Sequence, residues 1–299
     1  MALEYIRQSA ESGYPEALTE LGHVYETGGL ADEKSGKFHK LTKISLEKAK
    51  ELYLEASDRG CELAQNYLGS YFFNHEDNLK LAVKYFKLAA EKGTSGRALN
   101  NLAICYELGS LGYKLQHPAA DDDTLDTEKD LNHAAELYYK AIKLQHLPAM
   151  TNLAYLLYQC ARNKTSLSYG PHKFLSTLEE PFIEEEIDDM FFEAVSLLRL
   201  ALFQDENLAD ANFLMGLMFE NGLSIDRNHE NAFKYFERAA QAGHAKAWVK
   251  LGHFWYSGVR RLEYLTETSV SPISGQNSNY LFARLPDKFE AVYCYTQAV

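Results

Sequence analysis

Four cysteines in 299 residues are too few and too widely spaced for a disulfide framework. They stand at Cys61, Cys105, Cys160 and Cys294. None forms a C-x-x-C pair, so paired-cysteine zinc sites are excluded and a reducing, cytoplasmic setting is expected. No apolar run is long enough to span a bilayer, so direct membrane insertion is not expected. Residues 1–13 carry Glu4, Arg7 and Glu11, which is not the composition of a signal peptide. Positive charge is short as well: 30 Lys and Arg against 42 Asp and Glu give a net charge of -12 and a pI near 5.3. A nucleic-acid footprint needs clustered cations, so nucleic acid is excluded as a partner. Catalytic signatures are missing: there is no Gly-rich phosphate loop, no G-x-S-x-G and no H-E-x-x-H. His75-Glu76 has no second His four residues on, and the ten histidines are scattered. No catalytic residue, cofactor or metal ligand is expected, and the chain reads as a non-enzyme.

The 46% hydrophobic and 24% charged residues are those of a folded chain. At 299 residues a single core would be near its upper limit, so several domains or a repeat array are expected. Aligning the alanines selects the array. One segment reads Ala232…Tyr235-Phe236…Ala239-Ala240…Gly243, and another Ala82…Tyr85-Phe86…Ala89-Ala90…Gly93. The frame recurs at Ala2…Ile6…Ala10…Gly13, Ala49…Tyr53…Ala56…Gly60, Ala134…Tyr138…Ala141 and Ala194…Leu198…Ala201. A seventh copy starts at Ala291…Tyr295…Ala298. Apolar residues three, four and seven apart mark one helical face, here called helix B. The glycines stand where a left-handed residue would end it.

A second pattern follows each helix B: an Ala, then Leu or Met four residues on, a small residue beside it, and an aromatic. The copies, called helix A, are Ala17…Leu21-Gly22…Tyr25, Ala64…Leu68-Gly69…Phe72, Ala98…Leu102-Ala103…Tyr106, Ala149…Leu153-Ala154…Leu157, Ala211…Met215-Gly216…Phe219 and Ala247…Leu251-Gly252…Trp255. A mid-helix Gly costs about 1 kcal/mol relative to Ala. Six small residues at one spot therefore predict close passage of another helix backbone, with the helix B alanines as the opposing surface.

These residues resemble the Sel-1-like repeats, relatives of the tetratricopeptide repeats. The carriers are the L-G-x-x-Y of helix A, Lys48-Ala49, the Tyr85-Phe86 and Tyr235-Phe236 pairs, and the Ala-Ala-x-x-Gly helix ends. The resemblance implies an all-α fold, a right-handed α-solenoid of helix-turn-helix repeats with helix A lining the concave side. The repeats are expected at 14–60, 61–93, 94–145, 146–206 and 207–243, with a half repeat at 1–13 and an incomplete one at 244–299. The fourth full repeat departs from the pattern: Gln145 and Asp205 replace helix-ending glycines, and Tyr158 stands beside Leu157.

The step from Ala49 to Ala82 is 33 residues, whereas Ala82 to Ala134 is 52, Ala134 to Ala194 is 60 and Ala232 to Ala291 is 59. The extra residues fall between helix A and helix B, at 28–41, 110–127, 162–187 and 258–286, and so decorate one face of the array. The second insert holds Asp121, Asp122, Asp123 and Asp126, but Leu125 occupies a ligand position and no turn glycine follows, so a calcium loop is rejected for a solvated acidic loop. The third ends in an acidic and apolar stretch at 179–186 that reads either as a dock for a basic partner or as a short packed helix, of which packing is expected. The fourth is rich in serine and reads as a loop. Asn163-Lys164-Thr165 is an N-glycosylation sequon of low specificity. With no polar cap at either end, the chain is expected to be a piece of a longer array or to be capped by a partner.

The resemblance also implies a holding role: a scaffold or adaptor that takes a peptide or helix of another protein in its concave groove, or the remainder of its own array. By analogy with the tetratricopeptide groove, the candidate positions are His23, Asn66, Asn100, Tyr155, Tyr158, Phe213, His253 and Tyr256. Thr19, Ser70, Ile104, Thr151, Leu217 and Val249 share those registers. Two alternatives come with the family: a lumenal adaptor of a membrane ubiquitin-ligase complex in the endoplasmic reticulum, and a regulatory region of a larger enzyme such as a kinase.

Overall fold

Alternating small and bulky apolar residues at helical spacing give each A and B segment one face to bury. In the computed structural model, which describes residues 2–31, 38–116, 129–165, 167, 184–257, 294 and 296–298, these segments form twelve helices. The B segments are α1 (Ala2–Glu11), α3 (Leu46–Asp58), α5 (Leu79–Ala90), α7 (Leu131–Lys143), α9 (Glu184–Gln204) and α11 (His229–Gln241). The A segments are α2 (Pro15–Thr27), α4 (Glu62–Asn74), α6 (Gly96–Gln116), α8 (Leu147–Asn163), α10 (Ala209–Asn221) and α12 (Ala245–Ser257). Each helix packs on the next from α1 to α7, and again from α9 to α12. The chain divides into two bodies, Met1–Ala149 and Met150–Val299.

Helix ends follow local chemistry. Asn78, Asp130 and Asn228 accept the N–H of Leu81, His133 and Asn231, capping α5, α7 and α11 at 2.9–3.0 Å. Gly13, Gly60, Gly93 and Gly243 end the B helices at positive φ. Gln145 takes the same left-handed conformation at φ 59°, so the repeat geometry persists where the glycine is missing. Asp205 solves the other irregular end differently. Its carboxylate accepts the N–H of Asn207, and the Asn212 amide donates to the carbonyls of Glu206 and Leu208.

The small residue of helix A seats an aromatic ring rather than a backbone, which corrects the expectation drawn from the alanines. A methyl group placed on Gly22 would lie 2.6 Å from the Tyr53 ring, and one on Gly216 would lie 2.6 Å from Phe236. Gly69 faces Phe86 still more closely. Backbone approach is secondary: the nearest backbone atom to Gly22 is the Ala49 carbonyl, at 3.3 Å. Tyr53, Tyr138 and Phe236 are fully buried, and the helix B alanines pack beside them.

A recurrent backbone bond closes four of the hairpins. The N–H of the residue preceding helix B donates to the carbonyl of the helix A aromatic: Ser45 to Tyr25, Asn78 to Phe72, Asp130 to Tyr106 and Asn228 to Phe219, at 2.8–3.0 Å. This clamp makes insert length immaterial, because the chain leaves and returns at the same two points. Loop lengthening costs little closure entropy beyond that. Between Tyr25 and Ser45 the insert begins as a two-stranded antiparallel ribbon, β1 (Gly29–Ala31) with β2 (Phe38–Lys40), where a loop was expected. The second insert is partly helical, since α6 continues past a kink at Gly109 to Gln116. The acidic stretch at 179–186 enters α9 at Glu184, and Glu186 is buried. The aspartates at 121–126 and the serine-rich insert at 258–286 lie outside the described residues.

Candidate functional site

Three consecutive A helices of the first body line a cavity of about 530 Å³. α2 touches α4, and α4 touches α6. α2 contributes His23, Glu26 and Thr27, α4 contributes Asn66, Tyr67 and Ser70, and α6 contributes Arg97, Asn100 and Asn101. His146 and Pro148 complete the wall. The volume falls within the range of small-ligand pockets, and most of the lining side chains carry a polar group.

One end of the cavity is anionic. The Tyr53 hydroxyl donates to Glu26 Oε2 at 2.7 Å, and His75 Nε2 lies 3.1 Å from Oε1. His23 Nδ1 stands 3.8 Å from Oε2, an electrostatic neighbour beyond hydrogen-bond reach. Burial pushes the Glu26 carboxyl up, but the contacts of His23, Tyr53 and His75 outweigh it and hold the carboxyl below its usual range. Burial and the adjacent carboxylate push the Tyr53 phenol far up, so it stays a donor. The His23 ring lies on Tyr67, which in turn stacks on Tyr53 at 5.3 Å.

The middle is a chain of carboxamides. Asn101 Nδ2 donates to Asn66 Oδ1 at 3.1 Å, and Asn100 Nδ2 reaches Asn101 Oδ1 at 3.4 Å. Asn66 and Asn100 are 3% and 5% exposed, yet both face the cavity. The far end is cationic. Burial, with the Arg97 charge adding to it, holds the His146 imidazole below its usual range.

The register-derived candidates divide between the bodies. His23, Asn66 and Asn100, with Ser70, come together around this cavity. In the second body Tyr158 is buried at 5% exposure, tilted against Phe191 with Arg162 bonded to its hydroxyl. Phe213 stacks on His244 at 4.1 Å and leans on Phe236, so it serves packing. Tyr155 and Tyr256 are exposed at 41% and 61%, and His253 is exposed. Register alone missed Glu26, Arg97, Asn101 and His146. Glu26 had a signal: where helix B carries Tyr53 or Tyr138, Glu26 or Glu107 follows the helix A aromatic and accepts the buried hydroxyl. Among the described residues, no group of three or more His, Cys, Asp or Glu is arranged to hold a metal ion, and no helix is long and apolar enough to cross a membrane.

Fold and lining together define a protein built of tandem helical hairpins. The sequence profile of the Sel1 repeat matches residues 15–61, 63–94, 96–116, 123–146 and 209–244, more than half of the chain. The chain belongs to the Sel1 repeat family. It is 28% identical over 266 residues to the chitin synthase regulator SKT5 of Saccharomyces cerevisiae, covering 80% of this chain and 34% of that protein. It is 33% identical over 132 residues to the DAP3-binding cell death enhancer 1 of Rattus norvegicus, covering 44% of this chain and 23% of that protein. The chain thus spans 34% and 23% of the length of these two curated relatives. A crystal structure of a Sel1 repeat protein from Oxalobacter formigenes superposes with a TM-score of 0.59 at 13% identity, over 96% of this chain and 85% of that one, which supports the α-solenoid fold alone.

Proposed function

We propose that the chain is an interaction scaffold that holds a partner protein on the A-helix surface of its first body. The observation that carries this reading is the cavity, where three successive A helices bring polar side chains to one surface. Repeat cores are built from apolar residues, so polar side chains gathered on the A-helix surface support a recognition role. The two curated relatives bear names that describe acting on, or binding to, another protein, which favours the same role here. Four widely spaced cysteines with no C-x-x-C pair favour a reducing compartment, and the cytoplasm is the setting this reading proposes.

Affinity isolation from native cells, with partners identified by mass spectrometry, tests the reading. Ser70→Trp fills the cavity from α4 and is expected to remove the main partner while the melting curve stays unchanged. Tyr256→Ala in the second body is expected to leave that partner in place. Retention of the same partner by Ser70→Trp would contradict the assignment.

A further inference from the structure

The cavity is charged at both ends and carries carboxamides between them. Glu26 and Arg97 line the same space and form no ion pair with each other. Both Glu26 oxygens are occupied from within, by Tyr53 and His75. Arg97 is the reverse: it is exposed at the rim, and its guanidinium meets no carboxylate among the described residues. A guanidinium offers five donors in a fork that fits a carboxylate. Asn66 is nine-tenths buried. Its Oδ1 is bonded to Asn101, whereas its Nδ2 makes no hydrogen bond among the described residues and faces the cavity. A carboxamide offers one donor and one acceptor edge, the complement of a peptide group.

Resting on the scaffold reading, we propose that this cavity binds an extended peptide segment, its backbone met by Asn66 and its neighbouring carboxamides and its acidic group paired with Arg97. The acidic group is either a C-terminal carboxylate or an Asp or Glu side chain. The ionised Glu26 at the other end disfavours a second acidic residue there and favours a basic one. The span sets the length: two interhelix steps of about 8–10 Å separate α2 from α6, and an extended chain rises about 3.3 Å per residue. The segment is thus about five or six residues long. A small inorganic anion fits less well, because it would leave the carboxamides unused.

The probe is a bead library of random hexapeptides, made as matched free acids and C-terminal amides and screened with the full chain. Retained peptides are expected to be enriched in an acidic group at one end and depleted of acid at the other. Enrichment confined to the free acids assigns the C-terminal carboxylate, and equal enrichment in the amides assigns a side chain. Arg97→Gln is expected to weaken the selected peptides at least about tenfold, the scale of one charge-assisted hydrogen bond, and Arg97→Lys to weaken them less. Asn66→Asp, which replaces the donor with an anion, is expected to do the same. If it fails to fold, exposed Arg97 carries the test alone. Lys234→Gln on α11 is the neutral control. Peptides retained without acid preference, with equal affinity for Arg97→Gln, would overturn this proposal and leave the scaffold reading standing. Retention of no peptide, or binding of inorganic phosphate as tight as that of the selected peptides, would overturn it too. The scaffold reading fails separately, when Ser70→Trp keeps its native partner.

Discussion

The two bodies use one repeat core and spend the same register positions differently. In the first, the second residue after the helix A alanine is Thr19, Asn66 or Asn100, and two of the three line a polar cavity. In the second, it is Thr151, Phe213 or Val249, and Phe213 is absorbed into packing against His244 and Phe236. The ring seats do not differ: Gly22 and Gly69 in the first body and Gly216 in the second each face a helix B ring. The core is therefore constrained by packing, while the A-helix surface is free to vary. Function is to be sought where that surface departs from apolar.

The largest effects should be blind to the comparison. Phe86→Ala and Phe236→Ala each empty a ring seat, at 3% and 0% exposure, and each is expected to cost about 3–5 kcal/mol in denaturant unfolding. A marked asymmetry would mean that the bodies do not share one core. The next pair separates surface from core in the second body. Tyr158→Ala should cost about 3 kcal/mol, whereas Tyr155→Ala should stay within about 0.5 kcal/mol.

A third pair probes the partly buried carboxylates of the first body. Glu26 and Glu107 occupy equivalent places and accept from Tyr53 and Tyr138. Their shifts run in opposite directions, because Glu26 has His23 and His75 beside it and Glu107 does not. Burial outweighs the Tyr138 bond and holds the Glu107 carboxyl above its usual range. A depressed folded-state pKa gives stability that is present above the unfolded value, near 4.5, and lost as pH falls through the folded one. A raised pKa gives stability that is present below the unfolded value and lost as pH rises through the folded one. Glu26→Gln should therefore destabilise at neutral pH and converge on the parent in acid. Glu107→Gln should be neutral or stabilising at pH 7. Urea unfolding from pH 3 to 7 checks both. The smallest effect is at the irregular helix end: Gln145→Gly relieves a left-handed residue at φ 59° and should stabilise by about 1 kcal/mol.

The sequence was informative where periodicity and chemistry coincide. The alanine and aromatic spacing located all twelve helices, and the glycines located the ends of four B helices. The ring seats were misread as backbone contacts, because spacing reports that space is short but not what fills it. The β1–β2 ribbon left little trace, since three-residue strands have no period to detect. Register brought His23, Asn66 and Asn100 into view because all three sit on A helices. It also brought in Tyr158, whose displaced aromatic position belongs to the core. Arg97 and His146 were invisible to it. Arg97 precedes the repeat alanine, and His146 stands between α7 and α8, so only the folded chain joins them to the cavity.

Site-specific photo-crosslinking in native cells tests the central claim most directly. A photoreactive residue at Ser70 in the first-body cavity, compared with one at Lys84 on helix B and one at Tyr256 in the second body, should capture a discrete partner from Ser70 alone. That capture should fall in an Arg97→Gln background. Capture of the same partner from Lys84 or Tyr256, with none from Ser70, would contradict the assignment of the A-helix cavity as the holding surface.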